Sequence, residues 1–600
     1  MNKEELLEYY RGLVSKFTIQ LEKEKRRLLT LSFLRLIVFL CGTGITVAGF
    51  AEGIYWGIAA IVVSLALFLL LVYLFTVHSS RRDFYLNLVA INNNEIKGLY
   101  GDYSSFNDGR EWIDKDHDFS NDVDLFGRES LFQYLDRTVT GYGREILAGW
   151  FSDPFKLSTE IRPRQDAIKE LSGILEWRQG FIASAYDQSL SRKDIAGLLE
   201  WLRESSSALS STFKKVAIFL FPALTILSLL MVASGFWPYT VFIAFFLFNL
   251  LLALLGLGKT AKIHAMVSKK YLFLSTLVQL ISSIEKTSFK SSILSDIKFM
   301  LADGPASALK KIRQLSRIIH SFDTRLNLLV GIAANGLLLW DFHCIRSLEK
   351  WKRESADLFP EWMELLGQTD AYLSLANFAF NNQGYSYPEV TEDSSILEAK
   401  EMGHPLLGEE KRICNDVSIE GVGSIYIITG ANMAGKSTFL RTVAVNLILA
   451  MSGAPVCARS MRFRPLQLFT SMRTTDSLSQ NESYFYAELK RLRNLKNRLE
   501  SGEEIFFILD EILKGTNSAD KSTGSKLFLK KIIDLGGTGM IATHDISLGE
   551  MENEFPGIVI NKCFEIEIDG ETISFDYKLR DGITKRMNAA LLLKQMGIAW

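Results

Sequence analysis

Between Val216 and Gly258 the chain carries no Asp, Glu, Lys or Arg. A membrane-crossing helix needs ~20 apolar residues, rising ~1.5 Å each, to span a hydrocarbon layer of ~30 Å. The stretch is long enough for two crossings, with Gly235-Phe236-Trp237-Pro238-Tyr239 as the turn. A second stretch, Leu28 to Val77, holds only Arg35 and Glu52 and turns on the same argument at Ala51-Glu52-Gly53. Two transmembrane helical hairpins are therefore expected, at 28–80 and 216–258. A mean hydropathy of +0.12 over 600 residues fits that expectation.

The flanking charges orient the hairpins. Lys23, Lys25, Arg26 and Arg27 precede the first, and Arg81 and Arg82 follow it. Lys214 and Lys215 precede the second, and Lys259, Lys262, Lys269 and Lys270 follow it, while neither turn holds a Lys or Arg. By the positive-inside rule all four ends face the cytoplasm. The expected location is the inner (cytoplasmic) membrane, multi-pass, with the remaining domains in the cytoplasm. A third apolar stretch, Leu326 to Trp340, is too short to cross and contains Asn327 and Asn335; it reads as a buried soluble helix. The five cysteines are scattered without a C-x-x-C pair, which argues against a disulfide framework or a zinc site. With 67 basic and 68 acidic residues the chain is no general polyanion binder, so any contact with DNA must come from local patches.

The rest divides by pattern. Residues 1–27 read as a cytoplasmic N-terminal helix. Residues 81–215 and 259–390 read as two parts of a helical core, the first entered through a loop-dominated segment, Asn92–Asp124. In 391–600 short apolar runs alternate with helices. Ser424–Thr429, Ile505–Asp510 and Gly539–Thr543 look like buried parallel strands.

The first of these strands leads into Gly430-Ala431-Asn432-Met433-Ala434-Gly435-Lys436-Ser437, and a helix-like run follows from Thr438. This fits G-x-x-x-x-G-K-[ST] in the strand–loop–helix setting that makes it a phosphate cradle. Glycines let backbone N–H groups turn toward phosphate, Lys436 is placed to reach the β- and γ-phosphates, and Ser437 to hold Mg²⁺. Ile505–Leu509 ends in Asp510 and Glu511. Asp510 is placed to hold the metal, and Glu511 to orient or deprotonate the attacking water. His544 ends a third strand and is placed to sense the γ-phosphate. The expected ligands are ATP and Mg²⁺.

These residues carry a family resemblance. Thr429-Gly430-Ala431-Asn432-Met433-Ala434-Gly435-Lys436-Ser437-Thr438 resembles the T-G-P-N-M-G-G-K-S-T loop of MutS-type DNA mismatch repair ATPases. Asp510 to Asp520 is similar to that family's D-E-I-G-R-G-T-S-T-x-D, Ala542-Thr543-His544 to its A-T-H, and His404-Pro405 to its H-P strand. Asn481 to Glu488 resembles G-R-S-T-F-x-x-E, which implies a dimer in which Ser483 reaches the partner's nucleotide. Leu135-Asp136-Arg137-Thr138-Val139-Thr140, Gly143, Trp150, Arg164-Gln165 and Asp370–Ala376 look like the family's helical core. The fold implied is an α/β P-loop ATPase domain of the ABC/MutS type plus an all-α core, interrupted here by the hairpins. The sequence departs from the family at Ala431 and Ala434 within the loop. A membrane hairpin stands where the family's mismatch-reading domain would be, and a second where its DNA clamp would be. The chain past the last strand leaves little room for the family's C-terminal dimerisation extension.

Function then divides three ways. The resemblance implies a membrane-anchored ATPase, working as a homodimer and acting on DNA in a manner related to mismatch repair. The hairpins favour instead an ATP-driven membrane remodelling or transporter-like ATPase with no DNA role. The third reading is a scaffold that uses nucleotide only as a dimerisation switch, against which the presence of Glu511 argues. An ABC half-transporter would carry an L-S-G-G-Q signature, of which Leu478-Ser479-Gln480 is a poor version.

Overall fold

The computed structural model describes residues 1–186, 192–203, 212–268, 271–304, 307–323, 328–393, 395–473, 484–514, 517–569 and 572–585. The chain opens with two long antiparallel helices, α1 (Lys3–Glu52) and α2 (Ile54–Leu99). α1 starts on a capping box, in which the Asn2 side chain accepts from Glu5 N–H and the Glu5 carboxylate accepts from Asn2 N–H, each at 2.9 Å. The helix expected over 1–27 does not stop there but continues without a break through the apolar segment. Gly53 makes the reversal with φ 154°, a conformation that favours glycine. Below the turn the helices touch through small residues: a Cβ on Gly42 would lie 2.8 Å from that of Ser64, and one on Gly49 would lie 3.0 Å from the Trp56 carbonyl.

α2 also runs further than expected. Positions 92–99, assigned to a loop from their polarity, form its last two turns. Their polar groups are satisfied within the fold: Asn92 and Gln179 exchange hydrogen bonds of 2.8 and 3.1 Å, and buried Glu95 accepts from Arg137 Nε at 2.5 Å. The polarity that suggested solvent marks buried pairing instead.

The helical core comprises α3 (Leu131–Leu135), α4 (Gly141–Ser152), α5 (Ser158–Ser172), α6 (Leu175–Ala185) and α7 (Arg192–Arg203). After the second hairpin it resumes. The hairpin itself is α8 (Thr212–Ala233) and α9 (Tyr239–Ser268), turning at Gly235 with φ 78°. α9 continues past Gly258, the expected end of the hairpin. Then come α10 (Tyr271–Lys286), α11 (Ser292–Lys298), α12 (Ala308–Asp323), α13 (Leu328–Leu338), α14 (Trp340–Ser355) and α15 (Phe359–Asn381). Among the described residues four helices, one in each arm of the two hairpins, are long and apolar enough to cross a membrane by length and composition. α13, expected to be a buried soluble helix, packs on α9 but leaves Val330, Ile332 and Leu338 exposed.

α15 is buried along most of its length and organises the core. Its Asp370 accepts from Thr140 N–H (2.8 Å), Thr140 Oγ1 (2.6 Å) and Val139 N–H (3.1 Å), and its Ser374 Oγ accepts from Arg137 N–H (2.9 Å). The Leu135–Thr140 segment is thus held by one helix more than 200 positions downstream. The start of α1 docks just beyond the same helix end, through Tyr10 Oη donating to Asn381 Oδ1 at 2.6 Å and the N-terminal amine donating to Gln383 at 2.7 Å.

The C-terminal part is built on two sheets. β1 (Glu389–Val390), β2 (Ser395–Met402), β3 (Asn415–Glu420) and β5 (Ser460–Phe463) form the smaller, in the order β1-β5-β2-β3. The larger has the order β10-β9-β4-β8-β7-β6, with β4 (Ile425–Gly430), β6 (Gln467–Ser471), β7 (Ile505–Asp510), β8 (Thr538–Thr543), β9 (Val559–Asp569) and β10 (Thr572–Asp581). All its pairings are parallel except β9–β10. The three strands expected from the sequence are neighbours here, so their C-terminal ends open on one edge. α16 (Lys436–Met451), α17 (Tyr484–Glu500) and α18 (Ser518–Asp534) join them.

The two parts are tied by an acidic strap. Asp122 accepts from Thr470 Oγ1 (2.6 Å), Met472 N–H (3.1 Å) and Arg473 N–H (2.8 Å) at the end of β6. Asp124 bridges Arg473 and Arg441, the latter on α16. Arg491 of α17 donates to the carbonyls of His117 and Asp118.

Candidate functional site

β4 ends in Gly430 and α16 begins at Lys436, with the glycine loop between them. Met433 (φ 67°) and Gly435 (φ 99°) adopt left-handed conformations. Gly435 is doubly required, since a Cβ there would also lie 2.9 Å from the Tyr577 ring. Ala431 and Ala434 avoid the left-handed region and point their methyls into the core, so the two departures from the MutS-type loop cause no backbone strain. Asn432 and Thr438 face the cavity beside the loop.

The sequence-selected residues converge here. Lys436 Nζ donates to the carbonyls of Gly430 (2.8 Å) and Ala431 (2.9 Å) and lies 3.3 Å from His544 Nδ1. Burial lowers its pKa to about 8, against the opposing pull of Asp510 and Glu511. Ser437 Oγ donates to Asp510 Oδ2 at 2.5 Å. His544 bridges the loop and the acids: Nδ1 donates to the Gly430 carbonyl at 2.8 Å, and Nε2 pairs with Glu511. The hydrogen bond from His544 holds Glu511 down at about 2, against partial desolvation. Ser483 lies outside the described residues.

Two contributions were missed by sequence reasoning. Glu488, buried on α17, accepts from Leu513 N–H (2.6 Å) and Lys514 N–H (3.1 Å). It thereby pins the segment after Glu511, where Glu511 and Leu513 both hold positive φ. Glu488 closes the motif Asn481–Glu488, so a signal existed, but nothing local says what it binds. The second is an aromatic wall on β10. A bulge between Phe575 and Leu579 is held by Asn415, which donates to Tyr577 O (3.0 Å) and accepts from Leu579 N–H (2.8 Å). Phe575 and Tyr577 stack there at 6.0 Å. With Phe439, Ile413 and Leu407 they line a cavity of about 850 Å³ that also contains Lys436, Ser437, Glu511 and His544. An apolar cleft opening onto a few convergent polar groups is the usual form of a small-molecule site.

The arrangement defines a class first: a helical domain strapped to a parallel-sheet domain, with a Lys–Ser–Asp–Glu–His cluster on the C-terminal edge of the sheet. Family comparison places both parts. MutS domain III matches residues 114–376 and MutS domain V matches residues 426–594. The chain is a member of the MutS family. It is similar to the DNA mismatch repair protein MutS of Acetivibrio thermocellus, 34% identical over 224 residues, covering 36% of this chain and 25% of that protein. Against the proteins of the same name from Aquifex pyrophilus and Persephonella marina it is 30% identical over 290 and 251 residues. Those matches cover 48% and 40% of this chain, and 32% and 28% of the two relatives. The chain thus spans about a quarter to a third of the length of the curated relatives it matches.

Proposed function

We propose that this chain is a membrane-anchored ATPase of the MutS family that binds and hydrolyses ATP with Mg²⁺. The observation that carries the reading is the convergence of Lys436, Ser437, Glu511 and His544 around one cavity beside a glycine loop, with Asp510 hydrogen-bonded to Ser437. The residues fit the metal: a hydroxyl and a carboxylate in hydrogen-bond contact are hard oxygen donors, which Mg²⁺ takes alongside phosphate oxygens and water. When bound, the ion neutralises charge on the β- and γ-phosphates. Lys436 adds a fixed positive charge at the same phosphates, and the N-terminus of α16 adds its dipole. Glu511, paired with His544, is placed to orient or deprotonate the attacking water. His544 keeps that carboxylate aimed and links it to the loop carbonyl of Gly430. Phe575 and Tyr577 offer stacking area to the base.

The active form is a homodimer in which Ser483 completes the partner's site, as the family resemblance implies. The hairpins moor it in the cytoplasmic membrane with the helical core and sheet domain inside. The relatives' names support action on DNA related to mismatch repair. A second reading, ATP-driven membrane remodelling or transport without DNA, is favoured by the hairpin inserted between α7 and α10, inside the helical core. ATP turnover of the purified full chain in lipid nanodiscs, with and without homoduplex and mismatched DNA, separates the two. DNA-stimulated turnover with salt-sensitive binding supports the first; turnover and binding indifferent to DNA leave the second. Absence of any Mg²⁺-dependent ATP hydrolysis would overturn both.

A further inference from the structure

α12 ends at Asp323 and α14 begins at Trp340, and these two ends meet. Trp340 donates its indole N–H to the carbonyl of Ser321 at 2.9 Å. Between them α13 lies against the second hairpin. A Cβ on Gly336 would meet the Phe246 ring at 2.3 Å, and one on Gly256 would meet Phe342 at 2.8 Å. The first contact sets the end of α13 against the middle of α9, and the second joins α9 to the start of α14.

A polar latch holds it there. Asn249 is fully buried in the middle of the apolar α9, and its amide donates to Thr225 Oγ1 on α8 and to the Gly336 carbonyl on α13, each at 3.0 Å. Gly336 lies in the last turn of α13, where helix carbonyls lack intrahelical partners. In hydrocarbon an unpaired amide or carbonyl costs several kcal/mol, so the Asn249–Gly336 bond answers a need of both helices at membrane depth. Val330, Ile332 and Leu338 of α13 are exposed, as are many apolar residues of α8 and α9.

We propose that α13 is a re-entrant membrane helix whose exposed apolar residues contact lipid acyl chains. It extends the membrane reading given above and rests on it. Eleven residues at ~1.5 Å each reach ~16 Å, about half of a ~30 Å hydrocarbon layer, which suits a segment that enters and leaves on one side. The occupant of its exposed apolar surface is the hydrocarbon that covers the hairpin, because α13 packs directly on α9 through the Gly336–Phe246 contact.

The test uses full-length protein in nanodiscs, in a Cys41→Ser, Cys414→Ser background that leaves only buried thiols. An environment-sensitive dye is attached at Ile332→Cys, with Val330→Cys as a second position, Leu251→Cys on α9 as the hairpin reference and Lys310→Cys on α12 as the aqueous reference. Lipids brominated on their acyl chains are the quencher. Quenching at Ile332→Cys and Val330→Cys within about twofold of Leu251→Cys, and at least about fivefold above Lys310→Cys, is expected. Quenching at Leu251→Cys with both α13 positions at the level of Lys310→Cys overturns the re-entrant helix and leaves the hairpin standing. Quenching at none of the four overturns the membrane reading and this one with it.

Discussion

Ser437 Oγ and Asp510 Oδ2 sit 2.5 Å apart, although 73 positions separate them in the chain. One begins α16 and the other ends β7, two strands over from β4 in the sheet order. This single contact joins the glycine loop to the acidic strand end, and the proposed metal site depends on it. Ser437→Ala and Asp510→Asn each remove one of its two oxygens. Both variants are expected to bind nucleotide comparably with or without Mg²⁺ and to lose about 100-fold or more in turnover. Nucleotide titrations across Mg²⁺ concentrations check this; Mg²⁺ dependence like that of the unmodified chain would refute the assignment.

Lys436→Ala and Glu511→Gln separate binding from chemistry. Lys436→Ala removes the charge facing the phosphates and is expected to weaken nucleotide binding by about tenfold or more. Glu511→Gln keeps shape and removes the carboxylate, so binding persists while turnover falls by about 10²–10⁴. Fluorescent-nucleotide titration and phosphate release measure the two effects; unchanged turnover in Glu511→Gln would exclude its role.

The lowered pKa of Lys436 sets a pH dependence. Burial favours the neutral amine, so Lys436 is charged below about pH 8 and loses its proton above it. Phosphate binding favours the charged form and takes up a proton when the amine is neutral. Nucleotide affinity is therefore expected to fall as pH rises from 7 to 9.5, by about tenfold, and to stay flat in Lys436→Arg, whose guanidinium remains charged. Equal pH profiles in the two proteins would contradict this.

Glu488 acts through the backbone it holds. In Glu488→Ala, Leu513 N–H and Lys514 N–H lose their acceptor and the strained turn after Glu511 is released. Turnover is expected to drop by about 10- to 100-fold with nucleotide affinity changed less than about twofold. Glu488→Gln, which retains one acceptor oxygen, is expected to recover part of the loss. An equal loss of affinity and turnover would point to a general folding defect instead.

Asp370 carries the Leu135–Thr140 segment of the helical core. Asp370→Ala leaves three buried donors without their acceptor, at about 1–3 kcal/mol each, and is expected to lower the thermal midpoint by several degrees. Nucleotide affinity of the protein that remains folded should not change. A midpoint within a degree of the unmodified chain would show the donors to be satisfied otherwise.

What could be read from the chain alone was whatever local order carries. The apolar runs from Leu28 and from Val216 announced hairpins because length and apolarity suffice to form an apolar helix pair. The glycine loop, the Asp510-Glu511 strand end and His544 were legible because each sits at the end of an apolar strand, where the local pattern itself dictates exposure at the sheet edge. Local pattern failed where polarity or apolarity was answered from afar. Asn92 and Glu95 looked like loop residues until Gln179 and Arg137 were seen to pair with them. The Leu326–Trp340 run read as buried until Val330, Ile332 and Leu338 were seen exposed. Glu488's acceptor role, the Tyr577 wall and the Asp122 strap come from strand order and helix docking between segments 25, 162 and 348 positions apart. Sequence periodicity repeats every two to four residues and holds no record of such distances; only the closing of the tertiary fold sets which buried donor meets which acceptor.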